Sequence, residues 1–182
     1  MRKFRRWIEV ALLSALLAGL SLAVRAAPVL PLAPKLPDQM RSLAAVQRLR
    51  IAVDPLPPPL QKIGITGESI RQRWRDHLAE AGYKVADPND DAPKLNLRIM
   101  YLTDPDVAGA IAYACVLTLE QSARIGLAEE PLNVPTFLTV VMGLEAEERV
   151  KSSVYRSARD ALRQFMDVQK RAAAAARQRG SR

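Results

Sequence analysis

The stretch KLNLRIMYLTDPDVAGAIAYACVLTLEQ, residues 94–121, decides the fold, because it contains two alternating runs joined by a short turn. The first run places apolar side chains at every second position: Leu95, Leu97, Ile99 and Tyr101. The second run does the same, with alanines between them: Ile111, Tyr113, Cys115, Leu117 and Leu119. A period of two is typical of β-strands. The connection DPDVAG carries Asp, Pro and Gly, so the stretch predicts an antiparallel hairpin.

Further strands are predicted on both sides of this hairpin. In LRIAVDP, residues 49–55, apolar and polar residues alternate until Pro55 ends the strand. In YKVADPNDDAP, residues 83–93, a very short strand is followed by an acidic loop. The run VPTFLTVVMG, residues 134–143, predicts a third strand of the meander, weakened at its start by Pro135.

Two helices are predicted from spacings of three and four residues. In TGESIRQRWRDHLAEAG, residues 66–82, Thr66 is a suitable N-cap and Gly82 a suitable C′ residue. Its apolar stripe consists of Ile70, Trp74, Leu78 and Ala81. The second helix is expected from Glu145 and can continue through the alanine run, with a frayed tip beyond Arg177. Its stripe consists of Val150, Val154, Ala158, Ala161, Leu162, Phe165 and Val168.

The order of these elements is β-α-β-β-β-α. Strands flanked by helices predict an α+β domain, with a single mostly antiparallel sheet of about four strands and two helices packed on one face.

The N-terminal residues 1–26 have the pattern of a secretory signal peptide. A cationic start is followed by the apolar run ALLSALLAGLSLAV, and VRA offers a cleavage point after Ala26. We therefore expect export to the periplasm, as a soluble or loosely membrane-associated protein. The alternative is retention of this segment as an uncleaved anchor, although the apolar run is shorter than the roughly 20 residues of a spanning helix.

Charge and proline content divide the remaining chain. Residues 27–42 have a proline-rich start that predicts a linker, residues 43–169 form the α+β domain, and residues 170–182 form a basic tail. The net charge of +8 is the sum of +4 in residues 1–26, +5 in the tail and −1 in residues 27–169. The body of the protein therefore lacks the basic excess of a nucleic-acid-binding domain.

The prolines of VDPLPPPLQKIGIT, residues 53–66, predict a stiff elbow between the first strand and the first helix. Leu56 and Leu60 are available to fix this elbow to the core. The alternative is a partner contact through Pro57, Pro58 and Pro59, since proline-rich segments are read by aromatic-lined grooves.

No catalytic, cofactor-binding or metal-binding constellation emerges from the sequence. His77 is the only histidine, and no set of metal ligands surrounds it. Cys115, the only cysteine, lies in an apolar alternation and is expected in the core. The carboxylates of the 87–106 loops lack the ligand spacing of a calcium loop.

Four segments carry a resemblance to a known group of proteins: LAEAGYKV, LNLRIM, AYACVLTLEQ and VPTF. In this succession, roughly residues 49–170 resemble a family of small exported bacterial (periplasmic) proteins of unknown function. That family usually has tryptophan where this chain has Phe137. The layout is also similar to that of small α/β envelope-assembly domains. The resemblance implies no catalytic residues.

The leading hypothesis is a non-catalytic periplasmic binding or envelope-assembly module with a protein partner in the cell envelope. The alternative is an adaptor for anionic surfaces, lipid or another polyanion, acting through the basic tail. Its contacts would be Lys170, Arg171, Arg177, Arg179 and Arg182. A third alternative is an enzyme that uses Cys115 or the loop carboxylates.

Overall fold

The computed structural model describes residues 38–103, 109–124 and 130–180. These residues form four helices: α1 (Asp38–Ala44), α2 (Pro58–Lys62), α3 (Gly67–Glu80) and α4 (Glu147–Gly180). They also form five strands: β1 (Arg48–Val53), β2 (Lys84–Val85), β3 (Lys94–Thr103), β4 (Ala110–Ala123) and β5 (Leu132–Ala146). The proposed signal peptide, residues 1–26, and linker residues 27–37 lie outside the described residues.

The described strands join into a single sheet with the order β2-β1-β3-β4-β5. β1 pairs in parallel with both β2 and β3. The long ladders are antiparallel, with Tyr101 opposite Tyr113 between β3 and β4, and Tyr113 opposite Gly143 between β4 and β5. The α+β class is thus confirmed.

The sheet is mixed, with two long antiparallel ladders and two short parallel ones, and it has five strands where about four were expected. The fifth is the very short strand predicted within residues 83–93, observed as the two-residue β2; it lies parallel to β1 because helix α3 carries the chain back along the sheet between them. Parallel neighbours require such a crossover, whereas the hairpin of β3 and β4 needs only a turn.

Helices α3 and α4 bury the stripes that their sequences predict, except that Ala81 and Val168 are only half-buried. In α3, Ile70, Trp74 and Leu78 are buried, and the Thr66 side chain accepts a hydrogen bond from the Ser69 amide at 3.1 Å. Gly82 has φ +85°, a conformation that suits glycine at C′. In α4, the buried stripe runs through Val150, Val154, Ala158, Ala161, Leu162 and Phe165. Both helices therefore pack on the sheet face that carries the apolar side chains of β3 and β4.

Helix α4 begins two residues later than its sequence predicts. Glu145 belongs to β5, and its carboxylate accepts a hydrogen bond from the Ser153 hydroxyl at 2.9 Å. The helix runs to Gly180, three residues beyond Arg177. Ala172 is fully buried, which shows that the start of the basic tail is part of the packed domain.

Helix α1 corrects the expectation that residues 38–42 belong to the proline-rich linker. It buries Leu43, and Val46 is buried just after it. Both side chains belong to the main apolar core, and α1 packs against α4. Burial of these two side chains explains why a seven-residue helix, too short to be stable alone, is formed here.

The proline elbow contains the short helix α2. Pro57 is its N-cap, with φ −53° and ψ 138°, and Pro58 and Pro59 occupy its first positions. Proline is suited to these positions because the first helical amides have no intrahelical acceptor. Leu56 and Leu60 are both buried, so the expectation that they fix the elbow to the core is confirmed.

A buried polar junction joins three distant segments of the domain. The Gln169 side chain on α4 accepts a hydrogen bond from the Tyr83 hydroxyl at 2.8 Å. Its amide nitrogen donates to the Val46 carbonyl at 3.1 Å. These bonds satisfy polar groups that would otherwise be costly to bury, and they connect α4 to the beginning of β1 and to β2.

Candidate binding surfaces

Most of the exposed large apolar side chains of the described residues lie on the sheet face opposite the helices, named here the open face. Met142, Leu144 and Leu102 are 78, 71 and 70% exposed. The other exposed apolar side chains of this face are Met100, Leu138 and Val140. Single exposed apolar residues are common, but a contiguous group of them marks an interaction surface.

Strand register makes the open face continuous. Leu102 lies opposite Ala112, which lies opposite Leu144. The next row, two residues along each strand, consists of Met100, Ala114 and Met142. In both rows the alanine of β4 is smaller than the side chains of β3 and β5 on either side of it. The sequence contained this signal, since β5 is apolar at consecutive positions rather than alternate ones.

The other end of the open face is polar and internally paired. Arg98 contacts Asp54 at 2.8 Å, and Lys94 contacts Glu120 at 2.7 Å. The pKa of Asp54 is lowered, chiefly because its carboxylate accepts the hydrogen bond from Arg98. The face therefore has an apolar area bordered by charges that already have partners.

Strand β5 lies at the edge of the sheet in the described structure, and its two halves differ. The first half contains Pro135 and a bulge at Thr136, features that discourage pairing with another strand. The second half, residues 137–144, contains neither proline nor a charged residue. Its outward-facing backbone groups are available to a further strand, and Leu138, Val140, Met142 and Leu144 lie along the same segment.

The prolines proposed as a partner contact lie at the elbow. Pro58 and Pro59 are exposed, whereas Pro57 is half-buried. Because Pro58 and Pro59 belong to a helical turn, they differ in backbone conformation from a polyproline ligand. A role for them in recognition stays a prediction.

The basic residues proposed to contact an anionic surface are divided over the end of α4. Lys170, Arg171 and Arg177 are exposed. Lys170 and Arg177 line the same broad cavity beside Gly82 and Tyr83. The side chains of Arg179 and Arg182 lie outside the described residues. The tail hypothesis stays a prediction.

The candidate thiol, Cys115, is fully buried in the apolar core. Burial raises the pKa of this thiol from 9.0 to about 12. The thiolate is the reactive form, so both access and ionisation oppose chemistry at this position.

We expect Cys115 to resist a soluble thiol reagent such as dithionitrobenzoate near neutral pH, and to react at once in denaturant. Above pH 9 the thiol of the unfolded chain loses its proton, whereas the folded thiol keeps its proton up to about pH 12. The free energy of unfolding therefore falls as the pH rises above 9. Absorbance of the released thiolate measures the reaction. Complete modification of the folded protein within seconds would contradict burial and support the enzyme alternative.

The remaining titratable candidates lie apart from one another. His77 is 43% exposed, on the outer side of α3, with its Nδ1 3.6 Å from Glu80. Asp90 pairs with Arg48 and accepts a hydrogen bond from the Asp87 amide at 3.0 Å. Asp104 and Asp106 lie outside the described residues. Within the described part of the chain, no group of three His, Cys, Asp or Glu residues is placed to hold a metal ion.

None of the helices in the described ranges combines the length and the apolar character that crossing a bilayer requires.

The fold and these surfaces define a small α+β domain with an open, partly apolar sheet face. No family model matches the chain, and no curated protein matches it. The resemblance to small exported bacterial proteins therefore stays a prediction.

Two solved structures resemble the chain distantly. A minor lipoprotein from Acinetobacter baumannii is 12% identical, with a TM-score of 0.27, over 73% of this chain and 90% of that one. The rare lipoprotein B from Shewanella oneidensis is 11% identical, with a TM-score of 0.26, over 74% and 96%. At these TM-scores the likeness leaves the function of the chain open.

Proposed function

We propose that this chain is a non-catalytic binding module of the cell envelope, exported to the periplasm, whose open face receives a β-strand of a protein partner. This proposal is supported by two features that occur together on strand β5. The second half of β5 is an unprotected edge, and its exposed side chains continue the apolar area formed with Met100 and Leu102.

A protein strand fits this surface better than a lipid does. Every second residue of an edge strand directs its N–H and C=O groups away from the sheet. A partner strand satisfies those groups, whereas hydrocarbon leaves them without hydrogen bonds at a cost of several kcal/mol each. The partner strand would therefore extend the sheet beside β5 and place apolar side chains next to Val140 and Met142.

The paired charges at the other end of the face are compatible with this arrangement. Since Arg98 is bonded to Asp54 and Lys94 to Glu120, neither cation needs a partner from the bound protein. An apolar centre with a polar rim is the usual composition of a protein interface. A non-catalytic role agrees with the burial of Cys115.

The test introduces two lysines at the edge, Val140→Lys and Met142→Lys, because edge lysines prevent strand pairing in natural sheets. A photoreactive residue at position 138 reports contacts in intact cells, and the same residue at position 79, exposed on α3, is the matched control. The lysine control, Ala79→Lys with Ala174→Lys, adds the same charge at exposed helix positions. Both variants should unfold within about 0.5 kcal/mol of wild type.

We expect position 138 to crosslink to one discrete envelope protein, within a β-strand of that protein as mapped by mass spectrometry. The Val140→Lys/Met142→Lys variant should lose this crosslink, and the Ala79→Lys/Ala174→Lys variant should keep it. Crosslinks only to a second copy of the chain would show a homodimer face and contradict the proposal. Crosslinks of equal yield from positions 138 and 79, or none from either, would also contradict it.

A further inference from the structure

A second surface, independent of the open face, lies between the outer sides of α3 and α4. It is a groove of about 330 Å³. Its floor consists of Ile70, Trp74 and Ala158, which are almost completely buried. The side chains around this floor are mainly cationic or polar: Arg73, His77, Ser152, Tyr155, Arg156 and Arg159.

The spacing of these residues places basic side chains on facing sides of the groove. Arg73 and His77 are four residues apart on α3, and Arg156 and Arg159 are three apart on α4. Residues with these separations are neighbours on a helix surface. The groove is therefore bordered by arginines from both helices, more than 80 positions apart in the sequence.

One of these arginines is held in place by an aromatic ring. The Arg73 guanidinium lies 4.6 Å from the centre of the Tyr155 ring. The Tyr155 hydroxyl is hydrogen-bonded to the Ser69 hydroxyl at 2.6 Å, which fixes the ring between the two helices. The cation thus has a defined position before any ligand binds, which lowers the ordering cost of binding.

The positive charge of the groove is not neutralised within the described structure. No acidic side chain lines it, and Arg73, Arg156 and Arg159 form no ion pair with a described residue. Glu80 lines an adjoining cavity with Arg159, but its carboxylate approaches His77 instead of that arginine. Asp160 likewise approaches Arg163, at 3.9 Å, and not a groove arginine.

The excess of positive charge at the groove differs from the net charge of the whole domain. Residues 27–169 carry a net charge of −1, so three arginines around one groove do not follow from a generally basic domain.

We propose that this groove binds a phosphate group, as a phosphomonoester or pyrophosphate, either free or as the headgroup of a lipid. Guanidinium groups bind phosphate and carboxylate oxygens through paired hydrogen bonds. A carboxylate carries one charge and two oxygens. A phosphomonoester carries a charge of about −1.5 to −2 and three acceptor oxygens, which suits three arginines from two helices better.

The first arm of the test titrates inorganic pyrophosphate into the purified full-length chain by calorimetry, at constant ionic strength, with sodium sulfate as a competing anion. The groove variant is Arg156→Gln with Arg159→Gln, both exposed, so the fold should be kept. The matched control is Lys170→Gln with Arg171→Gln, which removes the same charge from exposed positions on the same helix. Thermal unfolding of each variant checks that it folds.

The second arm distinguishes the two sources of phosphate. Vesicles containing phosphatidic acid present a phosphomonoester, and vesicles containing phosphatidylglycerol present a phosphodiester at a matched surface charge. Co-sedimentation of the same three proteins with each vesicle measures binding.

We expect the wild type and the control to bind pyrophosphate, and the groove variant to bind it about tenfold or more weakly, since hydrogen bonds to charged groups are individually strong. If the ligand is a lipid headgroup, the same loss appears with phosphatidic acid and not with phosphatidylglycerol. The proposal is overturned if the wild type binds neither pyrophosphate nor phosphatidic acid, or if sulfate displaces pyrophosphate completely at equal concentration. An equal loss in the tail control would also overturn it and favour the basic tail. None of these outcomes depends on the open face.

Discussion

Replacing Trp74 by alanine is expected to lower the free energy of unfolding by about 3–5 kcal/mol. Trp74 is 2% exposed and is among the largest fully buried side chains of the described structure. It lies at the centre of the α3 stripe, between Ile70 and Leu78. Its removal leaves a cavity that the surrounding helices and sheet cannot fill by small shifts, so the loss includes both burial and packing.

Chemical denaturation followed by circular dichroism measures this change, because tryptophan fluorescence is altered by the substitution itself. Arg75→Ala is the matched control, since Arg75 is exposed on the same helix and is bonded only to Gln72 among the described residues. Its effect should stay within about 0.5 kcal/mol. An effect of Trp74→Ala below about 1 kcal/mol would show that α3 does not bury this face.

The second large effect is expected at Gly143, where alanine should cost about 1–3 kcal/mol by overpacking. Gly143 lies opposite Tyr113 in the register of β4 and β5. A Cβ atom at this glycine would overlap Cζ and the hydroxyl oxygen of Tyr113. The ring cannot move away freely, because its hydroxyl is hydrogen-bonded to Ser157 at 3.1 Å and the residue is buried.

A double-mutant cycle separates this steric effect from the general cost of changing a glycine. In a Tyr113→Ala background, Gly143→Ala should have little further effect on the free energy of unfolding. Gly67→Ala is the control in the wild-type background, because its new Cβ would make only ordinary contacts with Arg71 and Val53. If Gly143→Ala proves neutral in the wild type, the close packing of Tyr113 over β5 is wrong.

The periodic elements were predictable from the sequence because each is determined by its own side chains. The stripe of Ile70, Trp74 and Leu78 in α3 shows which side of the helix is buried. The alternation of apolar residues in β3 and β4 shows the same for each strand. The position of β1 between β2 and β3 was not predictable, since alternation shows which face of a strand is buried and not which strands are its neighbours. Helix α1 was missed because its stability comes from contacts with α4 rather than from its own sequence.

The two candidate surfaces were harder to predict from the sequence than the helices and strands. The apolar residues at consecutive positions of β5 were visible, but only the sheet register joins Met142 and Leu144 to Met100 and Leu102. The arginines of the groove were present on two polar helix faces, each of which resembles an ordinary solvated face. Their proximity depends on the packing of α3 beside α4, which is a tertiary property.

The junction of Val46, Tyr83 and Gln169 determines when this domain can finish folding during synthesis. The bond from Gln169 to Val46 spans 123 residues, and α1 packs on α4, so the first and last described elements complete the same core. Contacts so distant in sequence form only after a large loop has closed. Because synthesis begins at the N-terminus, Leu43 and Val46 therefore stay exposed to solvent until α4 has been made.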